Sequence, residues 1–90
     1  MIVTFKECFR RDLRKIRDTA LLNRVKDAIQ EVEATTVISD IRNIKKLRGS
    51  ESFFRIKIGD YRCGLSVDGD IVSFVRCLHR KDIYRFFPQS

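Results

Sequence analysis

The chain opens "MIVTF", a short apolar and partly β-branched run that predicts a strand over residues 2–5. From Lys6 the period changes. Phe5, Phe9, Leu13 and Ile16 recur at spacings of four, four and three, one stripe of an amphipathic helix. The opposite face carries Arg10, Arg11, Arg14, Lys15 and Arg17. Asp18-Thr19 reads as a break and an N-cap, and a second helix is expected over residues 20–33. Its buried stripe is Leu21 or Leu22, Val25, Ala28, Ile29 and Val32. Two helices joined by a tight turn form a hairpin whose apolar side needs a sheet or a partner to cover it.

Residues 35–50 read as a connector with a helical turn near residues 39–43, pinned to the core by Ile41, Ile44 and Leu47 and ended by Gly49. Beyond it the period becomes two. Phe54, Ile56 and Ile58 alternate with Phe53, Arg55 and Lys57, and Gly59-Asp60 forms a two-residue turn that accepts positive φ. Tyr61, Cys63, Leu65 and Val67 continue on the return strand until Asp68-Gly69-Asp70 turns the chain again. "IVSFVRCL", residues 71–78, alternates little, so a central strand buried on both faces is expected. The tail begins polar, gathers Ile83, Tyr84, Phe86 and Phe87, and stops at Pro88. The expected architecture is a single α+β domain over residues 1–90, in β-α-α-β-β-β order. An N-terminal strand and a helical hairpin precede a three-stranded antiparallel meander, with the helices packed on one face of a four-stranded sheet.

Charge adds a direction to this picture. The net charge is +7, of which residues 1–41 hold +1 and residues 42–90 hold +6. One positive face is therefore expected, suited to a polyanion or to an acidic protein. No apolar run approaches the ~20 residues that span a bilayer, so no membrane association is expected. Charge arrives after five residues, which argues against a signal peptide. Three widely spaced cysteines and a single histidine make neither a zinc site nor a disulfide framework, and a reduced cytoplasmic protein without metal or cofactor is the expectation.

The hairpin "RIKIGDYR" concentrates that charge. With Gly59-Asp60 as the turn, Ile58 faces Tyr61, Lys57 faces Arg62, and Arg55 faces Gly64, leaving an open floor beside three cations. Such a face is either solvated, its long stems covering apolar surface, or built to hold an anion. A second group, Arg76, His79, Arg80, Lys81 and Arg85, reaches the same region with Tyr84 at the end of the next strand. Together they suit attack of a ribose 2′-OH on its own phosphate. Cations neutralise the charge growing on phosphorus, while one group takes the 2′ proton and another protonates the departing 5′ oxygen. Arginine fits the first task through its fixed, permanently charged fork. Histidine is the residue type that exchanges protons near neutrality, so His79 is either an acid–base group or an ordinary polar strand end. Lysine or tyrosine serves only where neighbouring cations favour its neutral form. Tyr61 or Tyr84 could stack on an exposed base.

Residues 45–88, "KKLRGSESFFRIKIGDYRCGLSVDGDIVSFVRCLHRKDIYRFFP", resemble the RelE/ParE superfamily of bacterial and archaeal toxins. The marks are "LRG" before the hairpin, an aromatic-Arg-Ile-Lys strand, "GDYR", an acidic-Gly turn and "HRKDIY" after the last strand. The resemblance implies a compact α+β fold with two helices on an antiparallel sheet. RelE-like members cleave mRNA in the ribosomal A site, without metal, by 2′-OH attack. Carried over by position, their active residues become Arg55, Lys57, Arg62, Arg80 and Tyr84. Arg62 and Arg80 would hold the scissile phosphate, Lys57 would support or perform proton removal, and Tyr84 would orient or stack on a base. His79 sits where some relatives place a histidine acid or base. Many RelE-type enzymes have lysine at the position of Arg55, so Arg55 falls to phosphate binding with Arg76, Lys81 and Arg85. The base then narrows to Lys57 or His79. ParE-type members share "YR" and a basic His-Arg segment yet inhibit DNA gyrase, and a non-enzymatic basic domain that binds RNA or an acidic protein is the third class. Family resemblance also implies a cognate antitoxin that masks the basic cleft, with a larger toxin–antitoxin assembly once neutralised.

Overall fold

In a computed structural model, which describes residues 1–88, the chain forms β1 (Ile2–Phe5), α1 (Glu7–Arg14), α2 (Thr19–Ala34), β2 (Ile44–Lys46), β3 (Phe53–Ile58), β4 (Tyr61–Asp68), β5 (Ile71–His79) and α3 (Ile83–Phe86). The fold is α+β, as the pattern predicts. The α2 start falls where expected, because the Asp18 carboxylate accepts the free N–H of Leu21 at 3.2 Å. Leu21, Val25, Ala28 and Val32 bury one stripe of that helix against the sheet.

The sheet has five strands in the order β1-β5-β4-β3-β2, one more than the four expected. The extra strand, β2, comes from the segment read as a connector. It pairs antiparallel with β3 through Ile44↔Ile56, Lys45↔Arg55 and Lys46↔Phe54. Three residues are too few to show a period. Asn43, at φ 64°, bends the chain into β2, and its carbonyl accepts from Lys57 N at 3.1 Å. β2 through β5 form an antiparallel meander, and β1 joins it by pairing parallel to β5.

The expected β3–β4 register holds at all three predicted pairs. β5 is not simply buried on both faces, since Ile71 is exposed. Its weak alternation has a local cause. Leu65 pairs with Phe74 and Gly64 with Arg76, so Val75 is an extra residue on the β5 side. This bulge lets both Phe74 and Cys77 face the helices. Phe74 packs there against Phe5 and Phe9, at ring-centroid distances of 5.8 and 5.2 Å, a burial worth roughly 1.5–3 kcal/mol. Past Phe74 the outer edge of β5 has no β1 partner, and α1 takes its place. Asp12 accepts the Cys77 N–H at 2.9 Å and holds Arg76 at 2.8 and 3.1 Å.

The second sheet face is partly covered by the C-terminal segment. Ile83 and Phe87 are buried, and the Phe87 ring meets Phe53 edge-on at 5.5 Å. Phe87 lies over Gly64, so the floor expected to be open beside Arg55 is occupied by an aromatic ring.

Candidate functional site

Strand alternation sorts the basic residues by face. One row across the second face runs Lys45–Arg55–Gly64–Arg76, and the next runs Lys57–Arg62–Leu78. Lys45, Arg55, Lys57 and Arg62 thus share a surface, and among the described residues none of them forms a salt bridge. Arg76 stands in the same row but is engaged by Asp12, whose hydrogen bonds hold the guanidinium firmly in its charged form. Its charge is compensated locally, and its Cζ lies 5.5 Å from the centre of the Phe86 ring.

Backbone carbonyls hold the guanidinium groups of Arg55 and Arg62 and the main chain of Arg80. Arg55 Nη1 donates to Asn43 O at 2.9 Å. Arg62 Nη1 donates to Gly59 O and Tyr61 O, each at 2.9 Å, and the Arg80 N–H donates to Asp60 O at 2.7 Å. The Arg62 side chain and the Arg80 main chain are therefore tied to the same turn, which Gly59 permits by adopting φ 58°. Each guanidinium keeps further N–H donors for an external anion.

Beside Arg55 opens a cleft of about 420 Å³ lined by Lys45, Lys46, Leu47, Arg48, Arg55 and Tyr84. Tyr84 is 58% exposed. Lys57 does not line that cleft; it borders a smaller groove of about 180 Å³ shared with Arg24, Asp27, Glu31 and Arg42. Lys81 and Arg85 are exposed, and neither lines the cleft. His79 belongs to the row Ile58–Tyr61–His79, which alternates to the helix-packed face. Its ring lies edge-on to Tyr61 at 5.6 Å, and its Nδ1 accepts the Lys81 N–H at 3.1 Å. The cleft thus joins Arg55 to Tyr84, Lys57 and Arg62 are cross-strand partners in the next row of the same surface, and the His79 ring lies on the opposite face.

Sequence reasoning missed the β2 contribution of Lys45 and Lys46, and Arg48 with them. Its available signal was a short apolar-flanked basic run bracketed by the turn formers Asn43 and Gly49. Asp12 was missed too, although it sits one turn from both Phe9 and Ile16 on the buried stripe, where an acid calls for a partner. The basic face expected on the first helix forms a second basic surface. On α1 and its flanks Lys6, Arg10, Arg11, Lys15 and Arg17 are all exposed, and Glu7 pairs with Arg14. The Cys63 thiol is pushed up by its hydrogen bond to Cys77 and by burial, which makes it a packing group rather than a nucleophile. Among the described residues no three His, Cys, Asp or Glu side chains are placed to share a metal ion, and no helix is long and apolar enough to cross a membrane.

A five-stranded α+β sheet whose second face carries basic residues without acidic partners among the described residues, beside the exposed Tyr84, defines a small basic domain suited to an anionic partner. Residues 3–84 match the family of ParE toxins of type II toxin–antitoxin systems, parDE. Toxin RelE3 of Methanocaldococcus jannaschii is 38% identical over 89 residues, covering 98% of this chain and 100% of the relative. A chain of the RelB–RelE antitoxin–toxin complex from Methanococcus jannaschii superposes with a TM-score of 0.80 at 35% identity, over 94% of this chain and 99% of that one. The toxin–antitoxin complex RelBE2 from Mycobacterium tuberculosis gives 0.66 at 29% identity, over 90% and 92%. The chain belongs to the RelE/ParE family of type II toxin–antitoxin toxins, with RelE proteins among its relatives.

Proposed function

We propose that this toxin is a RelE-like endoribonuclease that cuts mRNA in the ribosomal A site. The observation that carries the reading is the set of Arg55, Lys57 and Arg62 on one sheet face, without carboxylate partners among the described residues, with the Arg80 main chain bonded to the turn that the Arg62 side chain also grips. An RNA phosphate supplies the missing anion. Attack by the 2′ oxygen forms a bond to phosphorus and breaks the P–O5′ bond, leaving a 2′,3′-cyclic phosphate and a 5′-OH. Arg62 and Arg80 neutralise the equatorial oxygens as charge grows there, and Arg55 binds the adjoining phosphate. Lys57, on the same face as Arg62, takes the 2′ proton, solvent water returns a proton to the departing 5′ oxygen, and Tyr84 stacks on or orients a base above the cleft; the His79 ring lies on the opposite face and takes no part. Arg76 steadies the fold behind this surface, while Lys81 and Arg85 contribute attraction for RNA. The partner in the cell is a cognate antitoxin, as in the similar RelB–RelE antitoxin–toxin complex. Such a partner would cover the basic face, and the site of action is the cytoplasm, where ribosomes work.

The test adds purified protein to stalled, programmed ribosomes and maps new mRNA ends by primer extension. Free mRNA and a DNA gyrase supercoiling assay run alongside. Cuts confined to the A-site codon, with cyclic-phosphate ends, are expected. Intact mRNA with blocked supercoiling would favour gyrase inhibition, which the ParE match keeps in view. Salt-sensitive RNA binding with neither effect would mean a binding module alone.

A further inference from the structure

β4 carries a glycine where the strand makes no turn. Gly64 is buried, pairs with Arg55 on one side and Arg76 on the other, and adopts no positive φ. Its reason is space. A β-carbon there would stand 2.7 Å from Cγ and 2.8 Å from both Cδ atoms of Phe87, well inside the 3.5–4.0 Å at which carbons pack. The ring is 1% exposed and rests directly on the strand backbone.

Phe87 closes α3. Its N–H donates to Ile83 O at 2.8 Å, and Ile83 is itself fully buried. Tyr84 lies between these anchors, more exposed than buried, and lines the cleft with Arg55. A helix of four residues has no stability of its own. Its place, and with it the place of Tyr84, depends on what Ile83 and Phe87 are seated in.

We propose that Phe87, seated on Gly64, is a positioning residue that fixes α3 so that Tyr84 stands over the cleft beside Arg55. Its catalytic consequence rests on the ribonuclease reading above. A methyl group at position 64 must lift the ring by roughly 0.8 Å to reach ordinary contact. Tyr84 moves with it, and a misplacement of about 1 Å can cost of order 10²-fold in rate.

The chain has two tyrosines, and Tyr61 faces the helices, so protein labelled with 3-fluorotyrosine carries its own control. In ¹⁹F spectra, Gly64→Ala and Phe87→Ala should each shift and narrow the Tyr84 resonance while leaving that of Tyr61 in place. Phe87→Leu, which keeps an apolar plug, should give an intermediate spectrum and serves if the alanine variant does not fold. With programmed ribosomes, kcat should fall about 10- to 100-fold while KM changes by less than about twofold. In a Tyr84→Ala background, Phe87→Ala should add nothing further. A Tyr84 resonance unmoved in Gly64→Ala and Phe87→Leu, or a full additional loss on top of Tyr84→Ala, would overturn the proposal. A wild-type protein that cuts no RNA while its Tyr84 resonance responds to Gly64→Ala would overturn the ribonuclease reading and support the socket.

Discussion

Asp12→Ala removes the group on which the α1–β5 contact turns. The carboxylate accepts three hydrogen bonds, two from Arg76 and one from the Cys77 N–H, and its side chain is 5% exposed. Without it Arg76 keeps a charge on a side chain only 17% exposed, and the Cys77 N–H faces the helix unpartnered. Removing one partner of a buried pair costs about 3–5 kcal/mol, and an orphaned buried donor about 1–3 kcal/mol. These costs overlap, and the small groove of about 80 Å³ beside Cys8, Arg11 and Lys15 lets water reach the guanidinium. A net loss of about 3–4 kcal/mol follows, against a total stability of about 5–15 kcal/mol for a domain.

At about 4–8 °C per kcal/mol for a chain of this size, the midpoint should drop by about 12–30 °C. Urea unfolding followed by circular dichroism measures the free energy, with an unchanged m-value showing that the same surface is exposed. Asp12→Asn keeps an acceptor for the Cys77 N–H but not the charge, and should fall between wild type and Asp12→Ala. Asp12→Leu combined with Arg76→Met should recover part of the loss, because no unpaired charge remains. A loss below about 1 kcal/mol for Asp12→Ala, or no recovery in the double variant, would refute the account of Arg76 as a locally compensated structural charge.

Two further outcomes concern the basic face. Arg62→Ala and Arg80→Ala should each abolish growth inhibition in cells while the purified variants keep a wild-type dichroism spectrum, and folded, fully toxic variants of both would remove the phosphate assignment. Lys57→Ala should slow cleavage more than it weakens ribosome binding, as expected of a group acting in the transition state; equal losses in affinity and rate would make it a simple anchor.

The hairpin was legible because its signals are local. Six alternating residues, a Gly-Asp turn and eight more fix a register, and with it which cations share a face. β2 was hidden because three residues carry no period and its pairing is decided by β3, about ten residues downstream. The cover over Gly64 was hidden for a related reason. The sequence shows a Phe-Phe pair near the end, but which of the two turns inward depends on α3 and on a glycine more than twenty residues earlier. His79 shows the limit of chain proximity. It adjoins Arg80, yet strand alternation sends its ring to the Tyr61 side, away from Lys57 and Arg62.

The charge balance misled in an instructive way. A surplus of +1 over residues 1–41 against +6 over residues 42–90 suggested a single positive face, supplied mostly by the C-terminal half. Folding separates what that average combines. The acids of α2 lie on a different element from the cations of α1, and the two acids of α1 are taken up by Arg14 and Arg76. Lys6, Arg10, Arg11, Lys15 and Arg17 are left as a positive surface in their own right. Arg76 beside that surface and Lys45 at the cleft stand three strand spacings apart in the sheet, about 14 Å. A single phosphate cannot touch both ends of that span. Only an extended polyanion would reach from the cleft to α1, so net charge per segment understates how far this protein's positive field extends.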